Sequence, residues 1–246
     1  MAPEFIPFSL PYGVLERPSE QAVDVWLLPL NELSPPLTLS LQEDANPTSV
    51  AALRLTRKMM LRLLLAAYVG VSPRELKLSR SSSGKPRISA PLNTGLVYSV
   101  SYSLDFMLVA VACQGRLGID LEPLSRWVKQ PMKLARRYLA PAEQEALAAI
   151  DNEGQRRRDF LRLWTRKEAL VKATGGGIVS GLDRFTVVDS DDQPQITAMQ
   201  GEDPAQWHLR HIEPQAGLVG TVASDFPIQQ LRTRRVAPPG AVAASE

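Results

Sequence analysis

The stretch Trp164-Thr165-Arg166-Lys167-Glu168-Ala169-Leu170-Val171-Lys172, followed by Gly175-Gly176-Gly177, reads as the last turns of an amphipathic helix and its stop. Leu161, Trp164, Leu170 and Val171 supply an apolar stripe, and the glycines end the helix because they enter the left-handed region without strain. Glu168 and Lys172 stand four residues apart, acid before base, and so project from one face. Alone, such a pair is usually a surface contact of little energetic weight.

A second acidic cluster changes that reading. Gly118-Ile119-Asp120-Leu121-Glu122 follows the apolar run Met107 to Cys113 and the turn Gln114-Gly115-Arg116. In a strand, residues i and i+2 share a face, so Asp120 and Glu122 point the same way, roughly 6–7 Å apart, while Ile119 and Leu121 face a core. Two neighbouring carboxylates repel unless a cation or a proton lies between them. With Glu168 they make three hard oxygen donors, a set that suits Mg²⁺ completing its octahedron with waters and substrate phosphates. Lys172, one turn beyond Glu168, is then placed to meet a phosphate. On their own, Asp120 and Glu122 would equally describe a solvated strand end.

The two motifs, in this order and at this separation, resemble those of the phosphopantetheinyl transferases of the surfactin-synthetase type, which carry Gly-Ile/Val-Asp-x-Glu and Trp-x-x-Lys-Glu-x-x-x-Lys. Each motif is short, but the ordered pair with its glycine stop is specific, and a weaker resemblance extends over residues 20–225. The resemblance implies transfer of 4'-phosphopantetheine from coenzyme A to a serine of an apo acyl or peptidyl carrier protein, with release of 3',5'-ADP. It implies Mg²⁺, or Mn²⁺ in its place, on Asp120, Glu122 and Glu168, and assigns the chemistry to Glu168, Lys172 and Asp120. Asp120 and Lys172 would also touch the coenzyme.

Further coenzyme contacts follow from the same resemblance. Gly84-Lys85-Pro86 matches a family element whose lysine meets a phosphate, and a point charge on Lys85 suits that role. The alternating stretch Val97 to Ser103 aligns with an Asn-x-Ser-His-Ser element, which places Ser101 and Tyr102 against the coenzyme phosphates. Here Ser99 stands at the asparagine and Tyr102 at the histidine. Tyrosine keeps a donor but carries no positive charge at neutral pH. An arginine of the first long helix, Arg54 or Arg57, would hold the nucleotide end.

Composition bounds the rest. The chain has 246 residues, 44% hydrophobic and 22% charged, with a net charge of +2. That is enough for a substantial core and too near charge balance to argue for nucleic acid. The single cysteine, Cys113, lies in an apolar run and reads as a buried thiol in a reducing compartment. No signal peptide and no membrane span are read, so a cytoplasmic protein is expected.

Strand, then helix, then several strands, twice over, predicts an α+β fold with each helix set against an antiparallel sheet. The resemblance refines this to a pseudo-symmetric monomer of two similar subdomains with the coenzyme between them. The expected divisions are an arm at 1–19, subdomains at 20–116 and 117–225, and a tail at 226–246. Residues 34–41 read as a connection, and Asn46-Pro47 as the start of the first long helix. Glu143 and Glu145 read as first-turn capping charges, and Arg156 to Arg158 as a rim facing an acidic carrier. His208 and His211 would face opposite sides of a strand, which leaves no shared metal and no catalytic triad. Two other classes stay open: a different Mg²⁺-dependent phosphoryl-transfer enzyme, and a non-catalytic homologue that binds coenzyme A or a carrier.

Overall fold

Strand β2 (Ala22–Pro29) is buried along its whole length, as the run Val23-Asp24-Val25-Trp26-Leu27-Leu28 requires where both faces of a sheet are covered. In the computed structural model, which describes residues 3–9, 13–38, 49–91, 93–176, 181–190 and 193–238, β2 sits at the centre of five strands. Their order is β1 (Ile6–Ser9), β12 (Gln230–Ala237), β2, β6 (Phe106–Ala112) and β5 (Val97–Ser103). One face packs on helices α1 (Leu30–Thr38) and α2 (Val50–Val69), where Trp26, Leu28 and Val109 meet Met60, Leu64 and Leu65. Each such side chain contributes about 1.5–3 kcal/mol by leaving water.

The opposite face packs on a second sheet, ordered β10 (His208–Ile212), β11 (Leu218–Ser224) and β7 (Leu117–Pro123). Val23, Val25, Leu27 and Leu108 meet Ile119, Leu121 and Val222 there. The outer face of this sheet carries α5 (Glu153–Thr174), through Ala169, Leu170, Ala173 and Ala223. Helices α3 (Pro131–Tyr138) and α4 (Pro141–Ala148) flank α5, and two hairpins complete the chain, β3 (Lys77–Arg80) with β4 (Pro86–Ala90) and β8 (Phe185–Ser190) with β9 (Gln193–Met199). The layers therefore run helix, sheet, sheet, helix, a mixed α+β architecture. No helix among the described residues is long and apolar enough to cross a membrane.

Several expectations change. The segment expected as a tail supplies β12, which lies parallel to both β1 and β2, so the five-stranded sheet is mixed rather than antiparallel. The cause is a buried carboxylate. Asp24 of β2 is fully buried and pairs with Arg232 at 2.5 Å and Arg234 at 3.2 Å, both of β12, and accepts the hydroxyl of Tyr68, which in turn accepts from Trp26 Nε1 at 2.8 Å. A charge so buried demands partners, and the C-terminal arginines are those partners. Because β12 completes the sheet begun by residues 22–29, the boundary expected at 225/226 cuts a sheet. The N-terminal arm likewise carries β1.

Within the expected connection at 34–41, residues up to Thr38 belong to α1, because Leu30 and Leu33 bury against α2 and packing outweighs a helix-poor composition. Residues 39–41 and the Asn46-Pro47 start lie outside the described residues. The cap of α2 is Ser49, whose side chain accepts from Ala52 N at 3.1 Å.

Candidate active site

The site is built where α5 lies directly on β7. Alternation along β7 sends Ile119 and Leu121 between the sheets and turns Gly118 and Asp120 toward the helix. Gly118 has to be glycine: a Cβ there would meet the Ala169 carbonyl oxygen at 1.9 Å and the Ala173 nitrogen at 2.6 Å. Helix and strand backbones thus touch, which brings side chains one turn apart on α5 onto the strand's carboxylates. Thr165 and Thr221 share a hydroxyl hydrogen bond at 3.1 Å that ties α5 to β11. Asn152 caps α5 at its start, and Gly175, at φ 79°, ends it.

Asp120 is the hub. Its Oδ1 accepts from Lys172 Nζ at 2.8 Å and from the Ser101 hydroxyl at 2.8 Å, and Lys172 also donates to the Ile119 carbonyl at 2.9 Å. Ser99 accepts the Ile119 N–H at 3.1 Å, so the two small hydroxyls of β5 stitch the edges of the two sheets together. Among the described residues, Asp120 Oδ2 and Glu168 Oε1 are buried without a hydrogen-bond partner.

The electrostatics of the cluster follow from that burial. Glu168 is pushed up to about 7, first by desolvation and then by the charge of Asp120, against the relief given by Lys172. Glu122 is also pushed up to about 7 by desolvation, which outweighs its ion pair with Arg126. Three acids in one place with two orphan oxygens is an arrangement that a hard cation satisfies. Among the described residues, however, no group of three or more His, Cys, Asp or Glu side chains is arranged to hold a metal ion. Glu122 is turned onto Arg126, and Asp120 Oδ1 is taken up by Lys172 and Ser101. The donor chemistry fits a divalent cation at Asp120 Oδ2 and Glu168 Oε1; Glu122 joins only by leaving Arg126.

The other residues singled out in the sequence fall in three places. Ser101 belongs to the cluster, but its hydroxyl proton is committed to Asp120. Tyr102 follows it in the alternating strand and so faces the opposite side, toward α2, where the Arg57 guanidinium lies 5.0 Å from its ring centroid and donates to the Leu104 carbonyl at 3.0 Å. Arg54 is exposed on the same helix. Lys85, on the turn before β4, donates to the Ala173 carbonyl at 2.9 Å, beside Lys172. Burial lowers its ammonium to about 8, against the pull of Asp225.

One buried pair escaped the sequence reading. Lys167, fully buried, meets Glu143 at 2.5 Å and donates to the carbonyls of Leu182, at 2.8 Å, and Phe185. Glu143 does cap α4 by accepting the Ala140 N–H, as expected, but it also accepts the Val187 N–H at 2.7 Å. The signal was present. Lys167 is spaced i−7, i−4 and i+3 from Phe160, Leu163 and Leu170, so it lies on the apolar stripe of α5, where a cation needs a partner.

Comparison with known proteins agrees with this geometry. A model of the 4'-phosphopantetheinyl transferase superfamily matches residues 116–229, the segment holding β7, α5 and the acidic cluster. The 4'-phosphopantetheinyl transferase HetI of Nostoc sp. is 36% identical over 165 residues, 67% of this chain and 67% of that protein. The Synechocystis sp. protein slr0495 is 34% identical over 157 residues, 63% of this chain and 62% of its own. The 4'-phosphopantetheinyl transferase Sfp of Bacillus subtilis is 26% identical over 191 residues, 76% of this chain and 78% of that protein. This chain is a member of the 4'-phosphopantetheinyl transferase superfamily.

Proposed function

We propose that the protein transfers 4'-phosphopantetheine from coenzyme A to a serine hydroxyl of an apo acyl or peptidyl carrier protein. The observation that carries this reading is the convergence of Asp120, Glu168 and Lys172 at the contact of β7 and α5, with two buried carboxylate oxygens left open. In the step proposed, the serine Oγ attacks the β-phosphorus of the coenzyme pyrophosphate. A new O–P bond forms, the bond from that phosphorus to the bridging oxygen breaks, and 3',5'-ADP leaves.

Glu168 would take the serine proton through the carboxylate oxygen that the cation does not occupy. Lys172 can carry charge to the leaving pyrophosphate oxygen while keeping its hold on Asp120. Asp120 and Glu168, with Glu122 released from Arg126, would hold a Mg²⁺ ion, or Mn²⁺ in its place. That ion supplies neutralisation of the pyrophosphate charge. Ser101 acts in this scheme through Asp120, fixing the carboxylate that the chemistry needs.

Lys85 and Arg57 are the proposed coenzyme phosphate contacts, with Arg54 and Tyr102 beside Arg57. Arg57, held against Tyr102, offers near that position the positive charge that a tyrosine lacks. The chain is further proposed to be a cytoplasmic monomer of two similar subdomains with the coenzyme between them, one of residues 20–116 completed by β1 and β12, the other of residues 117–225. In support, each sheet bears one long helix on its outer face, α2 or α5, and the acidic cluster lies at the seam of the sheets. Incubation with coenzyme A, Mg²⁺ and an apo carrier should release 3',5'-ADP only when the carrier is present. Release without a carrier, or none with any carrier, would refute the reading.

A further inference from the structure

The turn that ends β7 sets a cation on one of the three acids. After Glu122 the chain runs Pro123-Leu124-Ser125-Arg126, and two backbone bonds fix its course: the Leu124 N–H donates to the Gly217 carbonyl at 2.8 Å, and the Arg126 N–H to the Pro123 carbonyl at 2.9 Å. Arg126 is thereby folded back over the end of the strand, where its Nη1 donates to Glu122 Oε1. The arginine side chain is 45% exposed and that of Glu122 is 13% exposed. An ion pair open to water on one side is weakly held. Rotation of the arginine side chain alone breaks it, on the fast timescale of exposed rotamers and with the turn unmoved.

Charge balance makes the position of Arg126 matter. With Asp120, Glu122 and Glu168 all ionised, Lys172 on Asp120 and Arg126 on Glu122 leave one negative charge over. Lys172 by itself would leave two, which is the charge of one Mg²⁺. The guanidinium and a divalent cation are therefore alternative counter-ions for the same carboxylates. The reach of Arg126 extends past its own partner, since its charge also opposes the rise of Glu168. Asp120 Oδ2 and Glu168 Oε1 have no hydrogen-bond partner among the described residues, whereas Glu122 Oε1 is taken by Arg126. Of the three acids, Glu122 is the one that a cation has to win from an arginine.

We propose that Arg126 is a latch on the metal site: it holds Glu122 in the metal-free protein and sets how tightly a divalent cation binds, because the cation has to displace it. This role rests on the metal-assisted transfer proposed above and adds to it the residue that tunes cation affinity. Arg126 is a positioning residue, acting through Glu122. Its half-exposed guanidinium suits the task. It relieves the repulsion of Glu122 by its two acidic neighbours, and its release returns the charge to water, where it is well solvated.

The test is calorimetric titration of Mn²⁺ into the coenzyme-free full chain, for the wild type, Arg126→Ala and Arg126→Lys, and for Glu122→Gln with and without Arg126→Ala. Arg126→Ala should lower the Kd for Mn²⁺ by about three- to tenfold. Arg126→Lys keeps the charge and should stay near the wild-type Kd. In the Glu122→Gln background the same alanine substitution should have a much smaller effect, because the latch has no carboxylate to hold. A Kd that Arg126→Ala leaves unchanged would overturn the latch. A Kd that it raises would do so too, by making Arg126 a support that keeps Glu122 ready for the ion. Wild-type loading of a carrier, measured alongside, tells the two readings apart: loading that persists beside either of those results removes the latch and leaves transfer standing. A wild type that loads no carrier from a panel of acyl and peptidyl types would overturn transfer, and the latch with it.

Discussion

Lys172 donates to Asp120 Oδ1 at 2.8 Å, joining the last turn of α5 to the middle of β7. The contact holds the cation against the carboxylate in the ground state. It also leaves Lys172 a donor to spare, since an ammonium has three and two are used, on Asp120 and on Ile119. Lys172→Ala should lower kcat by on the order of 10²–10³, the scale of losing one electrostatic stabiliser, with a smaller change in the KM for the carrier. Single-turnover loading would check this, and an unchanged kcat would remove Lys172 from the chemistry.

The buried pair Lys167–Glu143 joins α5 to α4 and to β8. Removing one partner strands a charge in a dry interior, so Lys167→Met and Glu143→Leu should each cost about 3–5 kcal/mol. The double variant should lose less than the sum, because the two residues act on one interaction. Urea denaturation of the four proteins measures all of these values, and additive losses would show that the pair is not coupled.

How far the sequence could be read is clear from these residues. The helix carrying Glu168 and Lys172 and the strand carrying Asp120 were legible because both patterns are local: a stripe at helical spacing and an alternation of period two. The role of β12 was not legible, because Arg232 reads as a charge in an arginine-rich tail until Asp24, 208 residues away in sequence, lies beside it. Glu143 was half legible, since its capping role is local and its bond to Lys167 is not. Ser101 was found by motif, but its bond to Asp120 was not legible, because only the closeness of β5 and β7 reveals it.

Lys85 gives the pH dependence. Burial lowers its ammonium to about 8, so the charge offered to a phosphate is present below that pH and lost above it. The KM for coenzyme A should therefore rise as the pH is taken through 8 and upward, with a bound phosphate moving the transition to higher pH. Lys85→Ala should raise the KM at pH 7 and flatten the profile. An alanine variant with the wild-type profile would remove Lys85 from the coenzyme site.

A divalent cation should stabilise the fold by relieving the repulsion among Asp120, Glu122 and Glu168. At ten times its Kd, a ligand that binds only the folded state adds about 1.4 kcal/mol, which for a chain of this size is a rise of a few degrees in Tm. Thermal melts with and without Mg²⁺ should show this rise for the wild type and not for Glu168→Gln. An equal rise in both proteins would place the ion elsewhere.

The most direct test of the central claim is intact-mass spectrometry of an apo carrier protein incubated with coenzyme A and Mg²⁺, using the wild type and Asp120→Ala, with and without EDTA. The account predicts that the wild type adds one phosphopantetheine to the carrier serine, that EDTA abolishes the gain, and that Asp120→Ala slows it on the order of 10²–10³. Loading by Asp120→Ala at the wild-type rate, or loading by the wild type that EDTA leaves untouched, would contradict it.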